Sequence, residues 1–530
     1  MIAQEMRQSF LPAVLVVIMS LLLANIAYQI LPAADALCMA YGVYRMQAAA
    51  EGDNLYVLWE HETGYYNGQG DHNVFFKHST DGGKTFGEVT SLYHSGPLCT
   101  AYPHMAVEGS NVYVMWGDGG DILFKASNDN GTSFGETITL GEGFLGNIGS
   151  AGPFVDGGRI LASSDRVYVV WNDAQGEIIF RKSDDDGRSF GPPINVSKSD
   201  AQSVNPRIAA SGNNIYVVWS EDARCEFMIE PTCSTKALFA KGYDPDGSLD
   251  EPVPVDKLAY SSFGEPMLLD KLTGDELSMP GFPSVAADGS NVYLLWKEKD
   301  NNLYFSSGND RGQTFSSKVN LSKDYAEGMG AISIPSLWTR DGDVYVLLQA
   351  PGENGYLLLK STDGGRNFER VTQPMPGEFK SEQSSNRQMI ITEDGKAYLL
   401  WSIFSETERR VSFAAGYEDR SSVENQTDLV EKEYVPEIPP PSNVLLVASH
   451  DNVYALWLEA INATVSSQEQ RIIMRASTDG GKTFGSATIL EDVTTVPEFG
   501  TTAAIVAAAL ATGGIVAAAR FTRYKRTNPR

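Results

Sequence analysis

Apolar and polar positions alternate in short stretches along the chain, and one such stretch recurs eight times. The copies read NLYVLW, NVYVMW, RVYVVW, NIYVVW, NVYLLW, DVYVLL, KAYLLW and NVYALW, ending at Trp59, Trp116, Trp171, Trp219, Trp296, Leu348, Trp401 and Trp457. They are spaced about fifty to fifty-seven residues apart, except for one shorter and one longer interval. β-Branched and aromatic residues dominate each copy, which predicts a buried β-strand.

Each copy has similar neighbours, which predict three further strands. A short strand after proline precedes it, as in PHMAVEG, and an alternating segment such as NVFFKHS follows it. A turn rich in Gly and Asp then leads to a fourth strand such as EVTSLY. A four-stranded sheet cannot bury both faces alone, whereas radial stacking of such sheets gives a β-propeller. We therefore expect an all-β propeller of about eight four-stranded blades. Seven or six blades remain alternatives because the interval from Trp219 to Trp296 is irregular.

The turn between the third and fourth strands carries the most regular motif, Ser-x-Asp-x-Gly-x-Thr/Ser-Phe, which we call the box turn. One copy, STDGGKTFG, occurs identically at residues 79–87 and 477–485. The copy at residue 308 lacks the serine, the copy at residue 361 has Asn367 at the hydroxyl position, and repeats four and seven have lost the motif. The six aspartates are Asp81, Asp129, Asp185, Asp310, Asp363 and Asp479. The motif resembles the Asp box of sialidase-type propellers, also called the bacterial neuraminidase repeat.

The residue types of the box turn indicate a structural role. An aspartate side chain accepts hydrogen bonds from backbone amides of its own turn, glycine permits a positive φ, and phenylalanine supplies an apolar plug beneath the turn. In the families that the motif resembles, the boxes lie on the face away from the ligand site. We therefore expect the box aspartates to close hairpins, and we expect function among the loops of the opposite face.

The start of the 530-residue chain predicts export. Arg7 precedes the apolar run FLPAVLVVIMSLLLANIAYQIL, and Ala34 and Ala36 give the small-x-small spacing of a signal peptide cleaved after Ala36. An uncleaved anchor is the alternative. The chain then divides into a signal at 1–36, a propeller at 37–494 and a C-terminal segment at 495–530. The net charge of −26 argues against nucleic acid as a partner.

The C-terminal segment contains VPEFG (Val496–Gly500), the apolar run TTAAIVAAALATGGIVAAA and the basic tail RFTRYKRTNPR. The run is long enough to span a bilayer as a helix, and the basic tail would stay in the cytoplasm. The three parts together resemble the archaeal PEFG-type sorting signals, which implies processing by a membrane-embedded, archaeosortase-like transpeptidase. A plain transmembrane anchor is the alternative. Both interpretations place the protein at the cell surface, attached to the membrane.

Export permits disulfides, and the chain has four cysteines. Cys225 and Cys233 flank one short loop and are expected to pair, which leaves Cys38 to pair with Cys99. Neither the cysteine nor the histidine spacing matches a metal site, so we expect no metal and no cofactor. Five Asn-x-Ser/Thr sequons fit a surface glycoprotein. They lie at Asn130, Asn195, Asn320, Asn425 and Asn462.

Two sets of charged residues are candidates for ligand binding around the propeller axis. The acidic set, two positions after a repeat tryptophan, is Asp118, Asp173, Glu221, Glu298 and Glu459. It forms either an acidic ring that attracts cations or polyols, or ordinary solvated turns. The basic set, on the first strands, is Arg45, Arg159, Arg207 and Arg387, with His104 at an equivalent place. These side chains either clamp a ligand carboxylate or pair with the acidic set.

Three expanded loops are predicted on the same face, at residues 60–73, 220–236 and 259–279. The first carries Tyr65 and Tyr66, whose rings are suited to stacking on a sugar. Expanded loops on a regular scaffold are where specificity usually lies, so these two tyrosines are ligand-binding candidates.

The resemblance to sialidases implies glycosidase activity only as far as the catalytic residues match. Those enzymes use three arginines on the substrate carboxylate, a Tyr–Glu pair and an aspartate acid/base, on a six-bladed fold. Here YRMQ (Tyr44–Gln47) keeps the aromatic residue and Arg45 of the family's aromatic-Arg-Ile-Pro word, and Asp71 lies where the family's acid falls. No Tyr–Glu pair can be placed. We therefore expect a surface binding module for glycans or envelope proteins, with a sialidase-like exo-glycosidase and a structural envelope component as alternatives.

Overall fold

The computed structural model describes the chain from Val43 to Thr495, apart from internal gaps. The gaps are residues 67–68, 95–101, 119, 144, 146–159, 164, 224–233, 244–261, 264–266, 269–282, 298–301, 326–332, 341, 350–355, 372–383, 393–395, 405–407, 418–422, 434–440 and 465–466. The predicted cleavage site after Ala36, both apolar terminal segments and all four cysteines lie outside the described residues. Within the described part of the chain, no helix is both long and apolar enough to cross a bilayer.

The strands group into eight sheets in chain order. Blades 1 and 2 contain β1 (Val43–Glu51), β2 (Asn54–Tyr66), β3 (Gln69–Ser79) and β4 (Thr90–His94), then β5 (His104–Glu108), β6 (Asn111–Asp118), β7 (Asp121–Ser127) and β8 (Ile138–Glu142). Blades 3 and 4 contain β9 (Ile160–Ser163), β10 (Arg166–Asn172), β11 (Ile178–Ser183) and β12 (Ile194–Asn195), then β13 (Gln202–Ser211), β14 (Asn214–Ala223), β15 (Ser234–Tyr243), β16 (Ser262–Phe263) and β17 (Met267–Leu268).

The second half of the chain repeats this plan. Blades 5 and 6 contain β18 (Ser284–Asp288), β19 (Asn291–Lys297), β20 (Leu303–Gly308), β21 (Val319–Asn320) and the short helix α1 (Leu321–Tyr325), then β22 (Ser333–Arg340), β23 (Asp343–Gln349), β24 (Tyr356–Ser361) and β25 (Glu369–Val371). Blades 7 and 8 contain β26 (Ser384–Ile391), β27 (Lys396–Phe404), β28 (Glu408–Tyr417) and β29 (Val423–Glu433), then β30 (Ser442–Ser449), β31 (Asn452–Thr464), β32 (Ser467–Ser477) and β33 (Thr488–Thr495).

In every blade successive strands pair antiparallel, with β16 and β17 both beside β15 in blade 4, and the first strands of most neighbouring blades contact one another around the axis. This confirms the predicted eight-bladed propeller, and the alternatives of seven and six blades are wrong. The irregular interval between Trp219 and Trp296 lies in blade 4, where two short strands, β16 and β17, share the place of the outermost strand beside β15.

The repeated sequence word is the second strand of each blade, as its composition predicts. This strand lies between two others and between two neighbouring blades, so its side chains are covered on both faces. The seven repeat tryptophans are at most 2% exposed, and most residues around them are equally buried. A strand that is buried on both faces reads as a continuous apolar run, which explains why this word stands out in the sequence.

The apolar core is divided into eight clusters, one at each interface between blades. The cluster between blades 8 and 1 joins residues nearly four hundred positions apart and contains Trp59, Leu456 and Met474. Each blade is made of consecutive strands, so the ring closes without exchanging a strand between its ends. Packing of blade 1 on blade 8, with hydrogen bonds from Asn452 Nδ2 to Gly52 O at 3.0 Å and to Asp53 Oδ1 at 2.9 Å, therefore closes the ring.

Candidate functional site

The box turns are held by their aspartates in the way that their sequence predicts. In blade 8, Asp479 Oδ1 accepts hydrogen bonds from Ser477 Oγ at 2.7 Å and from the Thr483 amide at 2.9 Å. Its Oδ2 accepts from Thr483 Oγ1 at 2.6 Å. These bonds, led by that of the Thr483 hydroxyl, lower the pKa of Asp479 to about 2. Because both oxygens are used inside the turn, this carboxylate has a structural role.

The box turn of blade 6, which has Asn367 in place of a hydroxyl residue, keeps the same geometry. Asn367 replaces the hydroxyl residue, and its Nδ2 donates to Asp363 Oδ2 at 2.7 Å. Its backbone amide donates to Asp363 Oδ1 at 2.9 Å, and hydrogen bonding to Asn367 lowers the pKa of Asp363 to about 2. The side-chain nitrogen of Asn367 therefore replaces the hydroxyl, and the hydrogen bonds to Asp363 that close the turn are kept.

The box turn also joins one blade to the next, which its sequence does not reveal. In five of the six box turns, the phenylalanine packs edge-on against an aromatic residue in the third strand of the preceding blade, with ring centroids about 5 Å apart. The pairs are Phe134–Phe76, Phe190–Phe124, Phe315–Phe239, Phe368–Phe305 and Phe484–Phe413, at 4.8 to 5.3 Å. The predicted plug under the turn is therefore a contact between blades.

Backbone hydrogen bonds show which face of the propeller the box turns occupy. The turn between the first and second strands accepts a hydrogen bond from the box turn of the same blade, as from Gly82 to Asp53 O and from Gly480 to Asp451 O, both at 2.9 Å. Both turns therefore lie on one face, the box face. The hairpins joining second to third strands, and the starts of the first strands, lie on the other, which we call the hairpin face.

The hairpin face of blades 1 and 2 carries a cluster of Arg45, Glu60 and Tyr102, which we call the Arg45 cluster. Glu60 is 1% exposed, and its Oε2 accepts from Arg45 Nη1 at 3.2 Å and from the Tyr102 amide at 3.3 Å. The Arg45 guanidinium carbon lies 3.1 Å from the centroid of the Tyr102 ring. Arg45 itself is 34% exposed. A buried carboxylate thus orients a partly exposed guanidinium that has further N–H groups to offer a ligand.

An irregularity in β1 places Arg45 in this cluster. The pairing of β1 with β2 shifts between Tyr44 and Gln47, which is a β-bulge, and Arg45 has a left-handed φ of 51°. Tyr102, Asn205 and Asn443, at or near the starts of other first strands, also have positive φ. A bulge changes the direction of a side chain at the end of a strand, and here it brings Arg45 against the next blade.

The strand register shows that the predicted basic residues do not all occupy equivalent positions along the first strands. His104 and Arg207 pair with the residue before the repeat tryptophan, whereas Arg387 pairs with Trp401 itself. His104 is 8% exposed and therefore buried. Arg159 lies outside the described residues, as does the side chain of Arg387. Arg45 contacts an acidic partner, Glu60, which lies outside the predicted acidic set.

Two of the predicted acidic residues, Asp173 and Asp118, contact their own turn and a neighbouring blade respectively. Asp173 Oδ1 accepts from the amides of Gln175 and Glu177 at 2.9 and 2.8 Å, so it closes its own hairpin turn. Asp118 is hydrogen-bonded to Tyr93 in the neighbouring blade; burial, followed by this bond, raises the pKa of the tyrosine. For these two residues the structure therefore shows turn and interface contacts.

The remaining candidates are placed by the strands that carry them. Glu221 is 8% exposed in β14, and Glu298 lies outside the described residues. Tyr65 and Tyr66 are in the last residues of β2, and Asp71 is in β3, paired with Thr63. The segment predicted as an expanded loop at 60–73 is therefore mostly a long two-stranded hairpin. The side chains of Tyr65, Tyr66 and Asp71 lie outside the description.

Glu60 and Tyr102 are the functional candidates that sequence reasoning missed. Glu60 follows the repeat tryptophan by one position instead of two, so it falls outside the acidic pattern. A charged residue that directly follows the buried apolar run within the second strand is the signal that would have found it. Among the described residues, no group of three or more His, Cys, Asp and Glu side chains is arranged to hold a metal ion.

No protein-family model matches the chain, and no curated protein matches it in sequence. Solved structures with a similar fold include Trypanosoma rangeli sialidase in complex with sialic acid, at 11% identity and a TM-score of 0.33 over 60% of this chain and 53% of that chain. An ulvan lyase from a new polysaccharide lyase family aligns at 10% identity and 0.37 over 84% and 92%, and a prolyl endopeptidase at 10% and 0.39 over 75% and 50%. The aligned region spans about half of the sialidase. These likenesses concern the fold alone.

Proposed function

We propose that this protein is an exported, envelope-anchored propeller that binds a surface ligand, a glycan or an envelope protein, on its hairpin face. The Arg45 cluster is the observation that carries the proposal. A guanidinium held by a buried carboxylate and an aromatic ring is pre-organised, so a ligand pays little conformational entropy to engage it. An acidic sugar or an acidic protein side chain supplies the complementary oxygen atoms.

The difference between the two faces supports the same proposal. On the box face, the conspicuous residues are used in turns and in contacts between blades. On the hairpin face, the second and third strands of blades 1, 4, 7 and 8 extend into longer hairpins than those of blade 2. Such irregular extensions on a regular scaffold are typical of binding surfaces. We propose further that the box turns are Asp boxes of the sialidase type.

The proposed location depends on the terminal segments. The signal at 1–36 would export the chain, and the C-terminal helix would attach it to the membrane until an archaeosortase-like transpeptidase processes the PEFG motif. The membrane is thus a partner through this helix, and nucleic acid is not expected to be one. A sialidase-like glycosidase remains the second candidate function, favoured by the position of Arg45 on the hairpin face.

A glycan array probed with the segment 37–494 tests the binding proposal. The double variant Arg45→Met, Glu60→Gln removes both charges of the pair and leaves no buried charge unpaired. We expect this variant to bind its glycan at least about tenfold more weakly, as expected when a charge-assisted contact worth about 1.5 kcal/mol or more is lost. The control is Arg188→Met, which changes an exposed arginine of the box face and should bind normally.

Two other outcomes distinguish the alternatives. Hydrolysis of a fluorogenic sialoside by the same segment, abolished in the double variant, would establish the glycosidase. Binding to neither glycans nor isolated envelope proteins would refute the binding proposal and leave a structural envelope component. Because the sialoside assay is a test of turnover and the array is a test of affinity, the two functions cannot be confused.

A further inference from the structure

The proposed function leaves one sequence pattern without a role, the Asn-x-Ser/Thr sequons. The side chains of Asn130, Asn195 and Asn320 are described, whereas those of Asn425 and Asn462 lie outside the description. The described sequons differ in the surroundings of the side-chain amide, whose nitrogen is the atom that N-glycosylation modifies. This difference allows the structure to separate an acceptor from structural copies of the same sequence pattern.

Asn130 is part of a joint between two blades. It lies in the box turn of blade 2 at a left-handed φ of 58°. Its Oδ1 accepts from Asn54 Nδ2 at 3.2 Å and from the Tyr56 hydroxyl at 3.4 Å, both in blade 1. A glycan here would add bulk to a side chain that lies between the two blades and accepts both of these hydrogen bonds, so the folded ring disfavours it.

Asn320 belongs to a group of hydrogen bonds at the end of an outer strand. Its Oδ1 accepts from the Lys323 amide at 2.9 Å, and Ser322 Oγ accepts from the Leu303 amide at 2.8 Å. The amide nitrogen of Asn320 donates to the Tyr304 hydroxyl at 3.2 Å. Both ends of this side-chain amide therefore have protein partners, and the nitrogen is directed at the sheet.

Asn195 has the same Asn-x-Ser-Lys sequence as Asn320 and corresponding hydrogen bonds of its oxygen and of the sequon serine, but its nitrogen differs. Its Oδ1 accepts from the Lys198 amide at 2.9 Å, and Ser197 Oγ accepts from the Ile178 amide at 2.8 Å. Its nitrogen, however, makes no hydrogen bond within the described residues, and the side chain is exposed on the outermost strand of blade 3. A glycan on this nitrogen would extend into solvent from the rim while the oxygen kept its bond to Lys198.

We propose that Asn195 is an N-glycosylation acceptor of this protein, and that Asn130 and Asn320 stay unmodified. The proposal rests on the export part of the proposed function. Ser197 is 2% exposed, so the sequon hydroxyl is inaccessible once blade 3 has formed. The modification therefore precedes closure of the outer strand, and the completed fold then tolerates a glycan at Asn195 but not at the contacts made by Asn130 and Asn320.

The group transfer needs an oligosaccharide linked through phosphate to a polyprenyl lipid, together with a transferase of the cell envelope. The side-chain nitrogen of Asn195 attacks the anomeric carbon of the oligosaccharide. A C–N bond forms, the C–O bond to the phosphate breaks, and the lipid phosphate leaves with the bonding electron pair. The nitrogen gives up one of its two protons to a base of the transferase, and no atom changes its oxidation state.

Peptide mass mapping of the full protein, purified from the organism that encodes it, tests the proposal. We expect a glycan mass on the peptide that contains Asn195 and unmodified peptides for Asn130 and Asn320. The variant Asn195→Asp keeps an oxygen for the Lys198 amide and removes the acceptor nitrogen. It should lose the glycan mass while unfolding at the same urea concentration as enzymatically deglycosylated wild type.

An unmodified Asn195, or a glycan on Asn130 or Asn320, would overturn the proposal. Protease digestion of intact cells is the arm that separates it from the proposed function. A protein that is digested at the cell surface and unmodified at Asn195 refutes the acceptor alone. A protein that resists digestion on intact cells but is digested after lysis refutes the proposed export, and the acceptor proposal with it.

Discussion

At the scale of single residues, burial determines which titratable groups respond to acid. His61 in β2 is 7% exposed, and its Nε2 has no hydrogen-bond partner among the described residues. Burial lowers the pKa of His61 to about 4. On the box face, hydrogen bonds led by that of the Thr85 hydroxyl lower the pKa of Asp81 to about 2. These two kinds of group make the fold sensitive to acid in different pH ranges.

As the pH falls, protonation of His61 should lower the stability of the fold before protonation of the box aspartates does. The unfolded chain binds a proton at this residue below its ordinary pKa of 6.5, whereas the folded chain binds it only near 4. The contribution of neutral His61 to the free energy of unfolding is therefore fully present above pH 6.5 and is lost as the pH falls towards 4. We expect a loss of about 2 kcal/mol in the free energy of unfolding between pH 7 and pH 5.

Urea unfolding of the wild type and of His61→Gln at both pH values measures this loss. Glutamine is neutral throughout, so the variant should lose correspondingly less stability than the wild type over the same interval. An equal loss in both proteins would show that His61 is not the group responsible. The box aspartates act at lower pH, because their contribution is present above about 3.8 and is lost as the pH falls towards about 2.

At the scale of elements, each box turn is both the end of a hairpin and the contact with the preceding blade. Gly365 in the box turn of blade 6 has a φ of 85°, and a Cβ at this position would overlap the Phe305 ring of blade 5. Cations on third strands add a second contact: Arg181 Nη1 donates to Leu140 O at 2.7 Å, and Lys77 Nζ donates to Leu490 O at 2.8 Å. Both bonds reach the outer strand of the preceding blade.

The variant Gly365→Ala should therefore destabilise the protein more than the neighbouring Gly364→Ala. Both glycines have positive φ, but a Cβ at Gly364 would meet nothing within 4 Å. Both variants carry the backbone strain, whereas Gly365→Ala also carries the overlap with Phe305, which overpacking data place at about 1–3 kcal/mol. Equal losses in urea unfolding would show that the box glycine does not contact the preceding blade.

Some strands could be predicted from the sequence, whereas one hairpin and the contacts between blades could not, for physical reasons. Second strands are covered on both faces, so burial leaves an apolar run that reveals them. The hairpin of β2 and β3 has a polar sequence with three glycines beyond His61, and such a sequence predicts a loop. The contact of Phe484 with Phe413 depends on which blade is the neighbour, and a motif read within one repeat does not carry that information.

At the scale of the whole molecule, the ring has two kinds of joint. Blades 4 and 7 have lost the box motif, so the interfaces between blades 3 and 4 and between blades 6 and 7 lack its phenylalanine. Each is bridged by an arginine instead: Arg166 Nη1 donates to Asn213 Oδ1 at 3.2 Å, and Arg340 Nη1 donates to Thr392 O at 2.7 Å. Arg340 also donates to the Tyr345 hydroxyl and stacks on its ring.

Loss of an arginine bridge should therefore weaken the ring as a whole. We expect Arg340→Met to lower the free energy of unfolding by about 1–3 kcal/mol, since it removes two charge-assisted hydrogen bonds and a ring contact. Arg188→Met is the matched control, because Arg188 is 62% exposed and its bonds to Asp185 O and Asp186 Oδ2 stay within its own box turn. If urea unfolding shows the same small effect for both variants, the arginine does not replace the box.

The Arg45 cluster shows where sequence reasoning about the site stops. The word around Arg45 indicated a residue near the axis, and the structure places it on the hairpin face. Its partners come from β2 of the same blade and from the start of blade 2, fifteen and fifty-seven positions away. Packing of blade 2 on blade 1 brings the three together, so the cluster follows from the arrangement of blades and not from any local pattern.

The most direct test of the box turn as a joint between blades is a double-mutant cycle on Phe413 and Phe484. Phe413→Leu and Phe484→Leu, alone and together, give the coupling between blades 7 and 8 from urea unfolding. The ring contact at 4.8 Å predicts a coupling of about 0.5–1.5 kcal/mol, whereas Phe413 and Phe134, which lie in separate clusters, should show almost none. A coupling between Phe413 and Phe484 no larger than that of the control pair would contradict the conclusion that the repeated motif holds the ring together.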